Sequence, residues 1–185
     1  MKYLSENHNW DLTIRASSRL VDIGRSLKKD YSFSAFTGAM LLAVTGLESF
    51  LNSIGYSVST NDKKFSFIDF ERKRIVEKLD FLLEKFSVSL KKGERPYQTV
   101  KKAITWRNSL AHSKPTYVDE TEISPGYDIR KLPLQHVTTF NKCHPYENSV
   151  NEENANIFNK DIIQVIKAII ADSGIDPRAK CVYKL

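Results

Sequence analysis

Cysteine is nearly missing from this chain: Cys143 and Cys181 are the two among 185 residues. Two thiols make no disulfide framework, which points to a reducing compartment. Long apolar runs are missing too. The oiliest stretch, residues 39–51, is interrupted by Thr45, Gly46, Glu48 and Ser49, which leaves it too short and too polar to span a bilayer. The opening MKYLSENHNW is polar and lacks the apolar centre of a secretory signal. These absences together predict a cytoplasmic protein with no membrane partner. No glycine-rich phosphate loop occurs, and Ser109 lacks the flanking glycines of a hydrolase nucleophile elbow. His136, Cys143 and His144 show no paired ligands at short fixed intervals, so neither a metal nor a cofactor is expected. There is no internal repeat and no low-complexity segment.

What is present is charge, unevenly spread. The formal net charge is +6, a weak argument for a polyanionic partner when taken alone. Its distribution says more. Residues 91–114 hold Lys91, Lys92, Arg95, Lys101, Lys102, Arg107 and Lys114 against Glu94 alone. Over 115–154 the balance reverses, with Asp119, Glu120, Glu122, Asp128, Glu147, Glu152 and Glu153 against Arg130, Lys131 and Lys142.

The apolar spacing predicts an all-α fold of about five helices. Ile14, Leu20, Val21, Ile23 and Leu27 place a first amphipathic helix over 12–27. A second, over 33–54, has a wide apolar face from Phe36 to Ile54, with Gly55 as its stop. Gly38, Ala39, Ala43 and Gly46 on that helix would let another backbone approach closely. After a polar loop at 59–64, a third helix is expected over 68–86. Its core side carries Ile75, Leu79, Leu82, Leu83 and Phe86, and its polar side Arg72, Lys73, Lys78 and Glu84. Pro96 suits the start of a fourth helix running to about His112. Pro115 disfavours helical geometry at Lys114 and ends it. Helix four offers Ile104, Leu110 and Ala111 to a core, and Trp10 and Trp106 read as packing residues. A last helix starts from a capping box at Ser149-Val150-Asn151-Glu152 and ends before Gly174.

A single domain over 1–185 follows, with an insertion at 114–148 punctuated by Pro115, Pro125-Gly126, Pro133 and Pro145. That insertion is either irregular or a short β-hairpin around Ser124-Pro125-Gly126. Connections of this length in a compact domain often have a role, such as a lid or a binding surface.

The chemistry-bearing stretch is Arg107-Asn108-Ser109-Leu110-Ala111-His112, late in helix four. Asn108 and His112 are four apart and share a face. Arg107 lies about 140° round from His112 at roughly 100° per residue. One copy does not converge on a single phosphate; two copies across a two-fold axis would. Glu48 also stands out, a carboxylate within an apolar helix and one turn before Asn52 on the same face. A buried carboxylate needs a partner. Arg107 is the candidate, and the plainer alternative is an exposed or interface glutamate.

Arg107-Asn108-Ser109-Leu110-Ala111-His112 resembles the R-x-x-x-x-H signature of HEPN domains, including the polar residue after the arginine. The stretch Gly46-Leu47-Glu48-Ser49-Phe50-Leu51-Asn52-Ser53-Ile54-Gly55 is similar to an earlier segment of such proteins. The likeness covers most of residues 33–171, although the 114–148 insertion is not part of the minimal family pattern. The resemblance implies a helical homodimer that cleaves RNA without a metal, with a composite active site built from both protomers. RNA brings its own nucleophile, the 2′-hydroxyl, so the protein need only move protons and stabilise charge. His112, near the negative end of a helix dipole, is the implied general acid, and its symmetric mate the base. Arg107 would hold the phosphate and its developing charge. Asn108 would orient His112 or donate to a phosphate oxygen, and Glu48 would fix the guanidinium. Arg95, Lys101, Lys102 and Lys114 are candidate RNA contacts, although such lysines usually form only a solvated face. A toxin or defence effector restrained by an antitoxin protein is the implied setting. Two alternatives remain. One is a non-catalytic HEPN-like module for RNA binding or dimerisation. The other is a helical scaffold whose motif is merely a surface arginine and a helix-ending histidine.

Overall fold

A 33-residue helix, α2 (Lys29–Asn61), forms the axis of the fold. The computed structural model describes residues 3–5, 9–111, 149–177 and 182–184. Around α2 lie α1 (Trp10–Ser26), α3 (Phe67–Glu71), α4 (Ile75–Lys85), α5 (Tyr97–Ala111) and α6 (Glu152–Ser173). The chain is an all-α bundle. Two three-residue strands, β1 (Tyr3–Ser5) and β2 (Val182–Lys184), pair antiparallel, with Tyr3 opposite Lys184. The 114–148 insertion and its expected hairpin lie outside the described residues.

Small residues on α2 do set the approach of α1. A Cβ on Gly46 would fall 2.6 Å from Ile14 Cδ1, and one on Gly38 would fall 3.1 Å from Leu20. The closeness lets the Ser17 hydroxyl donate 2.8 Å to the Ala39 carbonyl. Asn159 of α6 completes the joint: its amide donates 2.8 Å to Ser17 Oγ, while its oxygen accepts from Ser18 at 3.1 Å. Three helices are thus tied by neutral, satisfied polar groups inside the bundle, the form in which buried polarity costs least. Trp10 packs edge-on against Phe50 and Trp106 against Phe158, so both indoles serve the core.

Several expectations change. Gly55 does not stop α2, which continues to Asn61 and takes up part of the expected loop. Its missing side chain makes room for the Phe70 ring, whose Cε1 would lie 2.3 Å from a Cβ there. The expected third helix is broken in two. Phe65, Phe70 and Phe81 cluster with ring centroids 5.4 to 5.6 Å apart. The chain turns through Arg72-Lys73-Arg74, and α4 restarts with Glu77 accepting the Arg74 backbone N–H at 3.0 Å. The cap of α6 is Asn151, not Ser149. Its side-chain oxygen accepts from the Asn154 N–H at 2.8 Å, satisfying one orphan donor of the first turn. Gly174 ends α6 with φ 66°, left-handed geometry that suits glycine. On α1, Ile14 and Val21 are buried, whereas Leu12, Ile23 and Leu27 are exposed.

By length and hydropathy, residues Tyr31–Asn61 of α2 are sufficient to cross a bilayer. In the bundle, Met40, Val44, Leu47, Leu51 and Ile54 are completely buried by the other helices. The central helix of a packed core has the same composition.

Candidate active site

Glu48 projects from α2 at a point where the small-residue face gives way to a polar one, between Thr45 and Asn52. Arg107 projects from the last turns of α5. The structure brings them together: Arg107 Nη2 donates to Glu48 Oε2 in a short, charge-assisted hydrogen bond. The guanidinium's other terminal nitrogen donates 3.0 Å to Asn108 Oδ1. The Arg107 side chain is 25% exposed and that of Glu48 32%, so the pair sits at the rim of the core, still open to solvent. A guanidinium has five N–H donors. Among the described residues two of Arg107's are engaged, which leaves it able to hold an oxyanion.

A third helix, α4, contributes a group that sequence reasoning misplaced. Lys78 of α4, expected on the polar side, is 2% exposed. Its ammonium donates 2.8 Å to Asn52 Oδ1, one turn along α2 from Glu48. Burial holds the Lys78 pKa below its usual value, and the nearby charges of Glu48 and Glu71 offset only part of that shift. The signal was in the spacing. Ile75, Lys78, Leu79 and Leu82 stand at i, i+3, i+4 and i+7, the pattern of a core stripe. Lysine at its second position reads as polar by type and as buried by period, and the period is correct.

The remaining site residues divide. Lys101 and Asn108 are exposed and seven apart on α5, so they lie along one outer strip with Thr105 between them. Lys102 is also exposed. Arg95 belongs elsewhere. It grips Asp161 of α6 through two bonds, Nε–Oδ2 at 2.8 Å and Nη2–Oδ1 at 2.9 Å. Tyr97 and Arg107 are about 15 Å apart along the α5 axis at its standard rise, so Arg95, which precedes Tyr97, is remote from the Glu48–Arg107 pair. Ser109 donates to the Thr105 carbonyl at 2.9 Å, a bond within its own helix. Leu110 and Ala111, expected in the core, are exposed on the last turn; Leu110 reaches 36%. The reason is position along the axis, not rotation. Leu110 is on the face of Ala103 and Trp106, and Ala111 on that of Ile104, but the last turn of α5 is exposed where the earlier turns are buried.

His112 and Lys114 lie outside the described residues, as do His136, Cys143 and His144. Among the described residues no three His, Cys, Asp or Glu side chains gather as metal ligands do. Compared with protein-family models, curated proteins and solved structures, the chain matches none.

Proposed function

We propose that the protein is a HEPN-like endoribonuclease that cleaves RNA by 2′-hydroxyl attack and works as a homodimer. One observation carries the reading: Glu48 of α2 holds Arg107 at the rim of the core, five residues before His112. A surface arginine at a helix end needs no such restraint. An arginine that must meet a phosphate does, because each rotamer fixed beforehand is one that substrate binding need not order.

In the reaction the 2′-oxygen attacks phosphorus and the P–O5′ bond breaks. The 2′-hydroxyl proton passes to a base, and an acid returns a proton to the departing O5′. His112 of one subunit is the acid, and its counterpart in the second subunit is the base. Arg107 donates to the non-bridging oxygens as charge builds on them. Asn108, bonded to Arg107 and four residues before His112 in the sequence, steadies both. Leu110 supports the pairing of subunits, because an apolar side chain exposed beside the site is one that a second copy would cover. Lys101 and Lys102 extend the positive field along the outer strip of α5 and meet phosphates without reading sequence. Regulation by an antitoxin protein fits such an activity.

The test is direct. Purified protein in EDTA is incubated with a mixed RNA pool, and the ends of the products are mapped. Cleavage leaving 2′,3′-cyclic phosphate and 5′-hydroxyl ends, lost in Arg107→Ala and His112→Ala, is the expected result. Salt-sensitive RNA binding without cleavage replaces the reading with the non-catalytic module; neither binding nor cleavage removes RNA altogether.

A further inference from the structure

Lys78 is a charged side chain inside a hydrophobic stripe. Ile75, Leu79 and Leu82 flank it on α4, all buried, and its own exposure is 2%. An ammonium in such a place costs desolvation, and a methionine of similar length would fill the volume without that cost. Its one hydrogen bond among the described residues is to a neutral amide, Asn52 Oδ1 at 2.8 Å. The amide is thereby oriented, and it stands on the same face of α2 as Glu48, one turn along. The negative groups that act on the ammonium are Glu48, from α2, and Glu71, at the end of α3. Packing does not call for a cation here. What the cation acts on is the Glu48 carboxylate, partly withdrawn from water, bonded to Arg107 and one turn from the Asn52 amide that anchors the ammonium.

We propose that Lys78 is a positioning residue for Arg107: anchored on Asn52, its buried charge holds the Glu48 carboxylate in place, and Glu48 in turn fixes the guanidinium. The arrangement runs from α4 through α2 to α5 and ends on the group that meets the phosphate. Lys78 touches no substrate, being sealed beneath the surface. This inference rests on the ribonuclease reading for its purpose, though not for its geometry.

The experiment reads Arg107 directly, by NMR of the arginine side-chain nitrogens in the folded full-length chain. Slow rotation about the guanidinium bond in the wild type, turning fast in both Glu48→Gln and Lys78→Met, is the expected result. Lys78→Met that folds normally and keeps Arg107 as restrained as the wild type overturns the proposal. Should Lys78→Met fail to fold, the Lys78 Nζ resonance is titrated in Glu48→Gln instead. A midpoint lower than in the wild type supports the coupling, and an unmoved midpoint overturns it. On RNA, Lys78→Met is expected to lower kcat roughly tenfold with KM unchanged, the size seen when supporting partners are removed. An equal loss in KM, or none in kcat, goes against positioning. A wild-type protein that cuts no RNA removes the nuclease reading alone, because the restraint on Arg107 is still measured.

Discussion

The two ends of α5 each carry an arginine paired to a carboxylate, and they are built oppositely. At the start, Arg95 is 60% exposed while its partner Asp161 is 5% exposed. There the acid is the buried member, the arginine covers it through two parallel bonds, and the pair clamps α5 to α6. At the far end neither member is buried: Arg107 is 25% and Glu48 32% exposed. The start of the helix is also closed by Tyr97, which is buried and donates 2.7 Å to Asp80. The far end is open, with Asn108 and Leu110 exposed. A guanidinium that spends two parallel bonds on one buried carboxylate serves the fold, and one that gives its carboxylate a single bond keeps donors for a ligand. The comparison therefore separates Arg95 from Arg107, two residues that the sequence places together as cations near one motif.

The sharpest way to break it is to delete each arginine and read two outputs. Arg107→Ala is expected to lower RNA cleavage by roughly a hundred- to a thousand-fold, the range for removing a donor to a developing oxyanion, while the melting temperature falls less than in Arg95→Ala. Arg95→Ala should do the reverse, keeping cleavage and lowering the melting temperature. The contrast fails if Arg95→Ala abolishes cleavage at a temperature where the protein is fully folded.

Next in size is the buried acid. Burial pushes the Asp161 carboxyl up, but hydrogen bonds from Arg95 and Thr99, together with the Arg95 charge, hold it below its usual 3.8. A carboxyl with a depressed pKa gives stability that is full above the unfolded value and is lost as pH falls through the folded one. Asp161→Asn should therefore cost about 2 kcal/mol near neutral pH, the scale of a charge-assisted bond. Its deficit relative to the wild type should shrink below about pH 4. Urea unfolding at pH 7 and pH 3 checks this, and a deficit that is constant with pH would deny Asp161 its clamp.

How much of this was legible beforehand depends on whether the information was periodic or positional. The core stripes of α2, α4 and α6 are periodic, and Met40, Leu51, Leu79, Leu82, Ile162 and Ile169 are buried where the spacing puts them. Glu48 was found because a carboxylate in an oily helix must be answered, and Arg107 answers it. Positional features were not legible. Gly55 as a stop and Gly55 as a seat for Phe70 look the same until Phe70 is placed. The break at Arg72-Lys73-Arg74 is set by where three phenylalanine rings meet, which the order of residues along one helix does not encode. Lys78 falls between the two: its period was right and its chemistry pointed the other way. A charged residue on a core stripe is worth reading as a functional signal, because packing alone selects against it.

Tyr97 sharpens the closed end further. Burial and the bond to Asp80 push its hydroxyl up to about 12, from an ordinary 10.0. A raised folded pKa means stability that is complete below pH 10 and is lost as pH climbs toward 12, because the unfolded chain ionises first. That difference amounts to about 2 to 3 kcal/mol at most. Tyr97→Phe leaves Asp80 without this donor but removes the ionisation, so the variant is less stable at pH 8 and loses less between pH 10 and 12. Denaturant midpoints measured across that window read the slope. Parallel wild-type and Tyr97→Phe curves would show the hydroxyl to be free to ionise, and the start of α5 to be less closed than its geometry implies.

The smallest effect belongs to the open strip itself. Lys101 and Lys102 are exposed on α5, so replacing either with glutamine should leave folding untouched. Each ammonium withdrawn from a phosphate should reduce the slope of log affinity against log salt by roughly 0.7 for single-stranded RNA. At a single low salt concentration that is a change of only a few fold, hence the need to read the slope. Arg95→Gln is the matched control, because its guanidinium is already committed to Asp161 and should add nothing to the slope. A larger slope change for Arg95 than for Lys101 would put the RNA at the wrong end of α5. The Glu48–Arg107 pair would then be a second clamp, and the helix would have two closed ends.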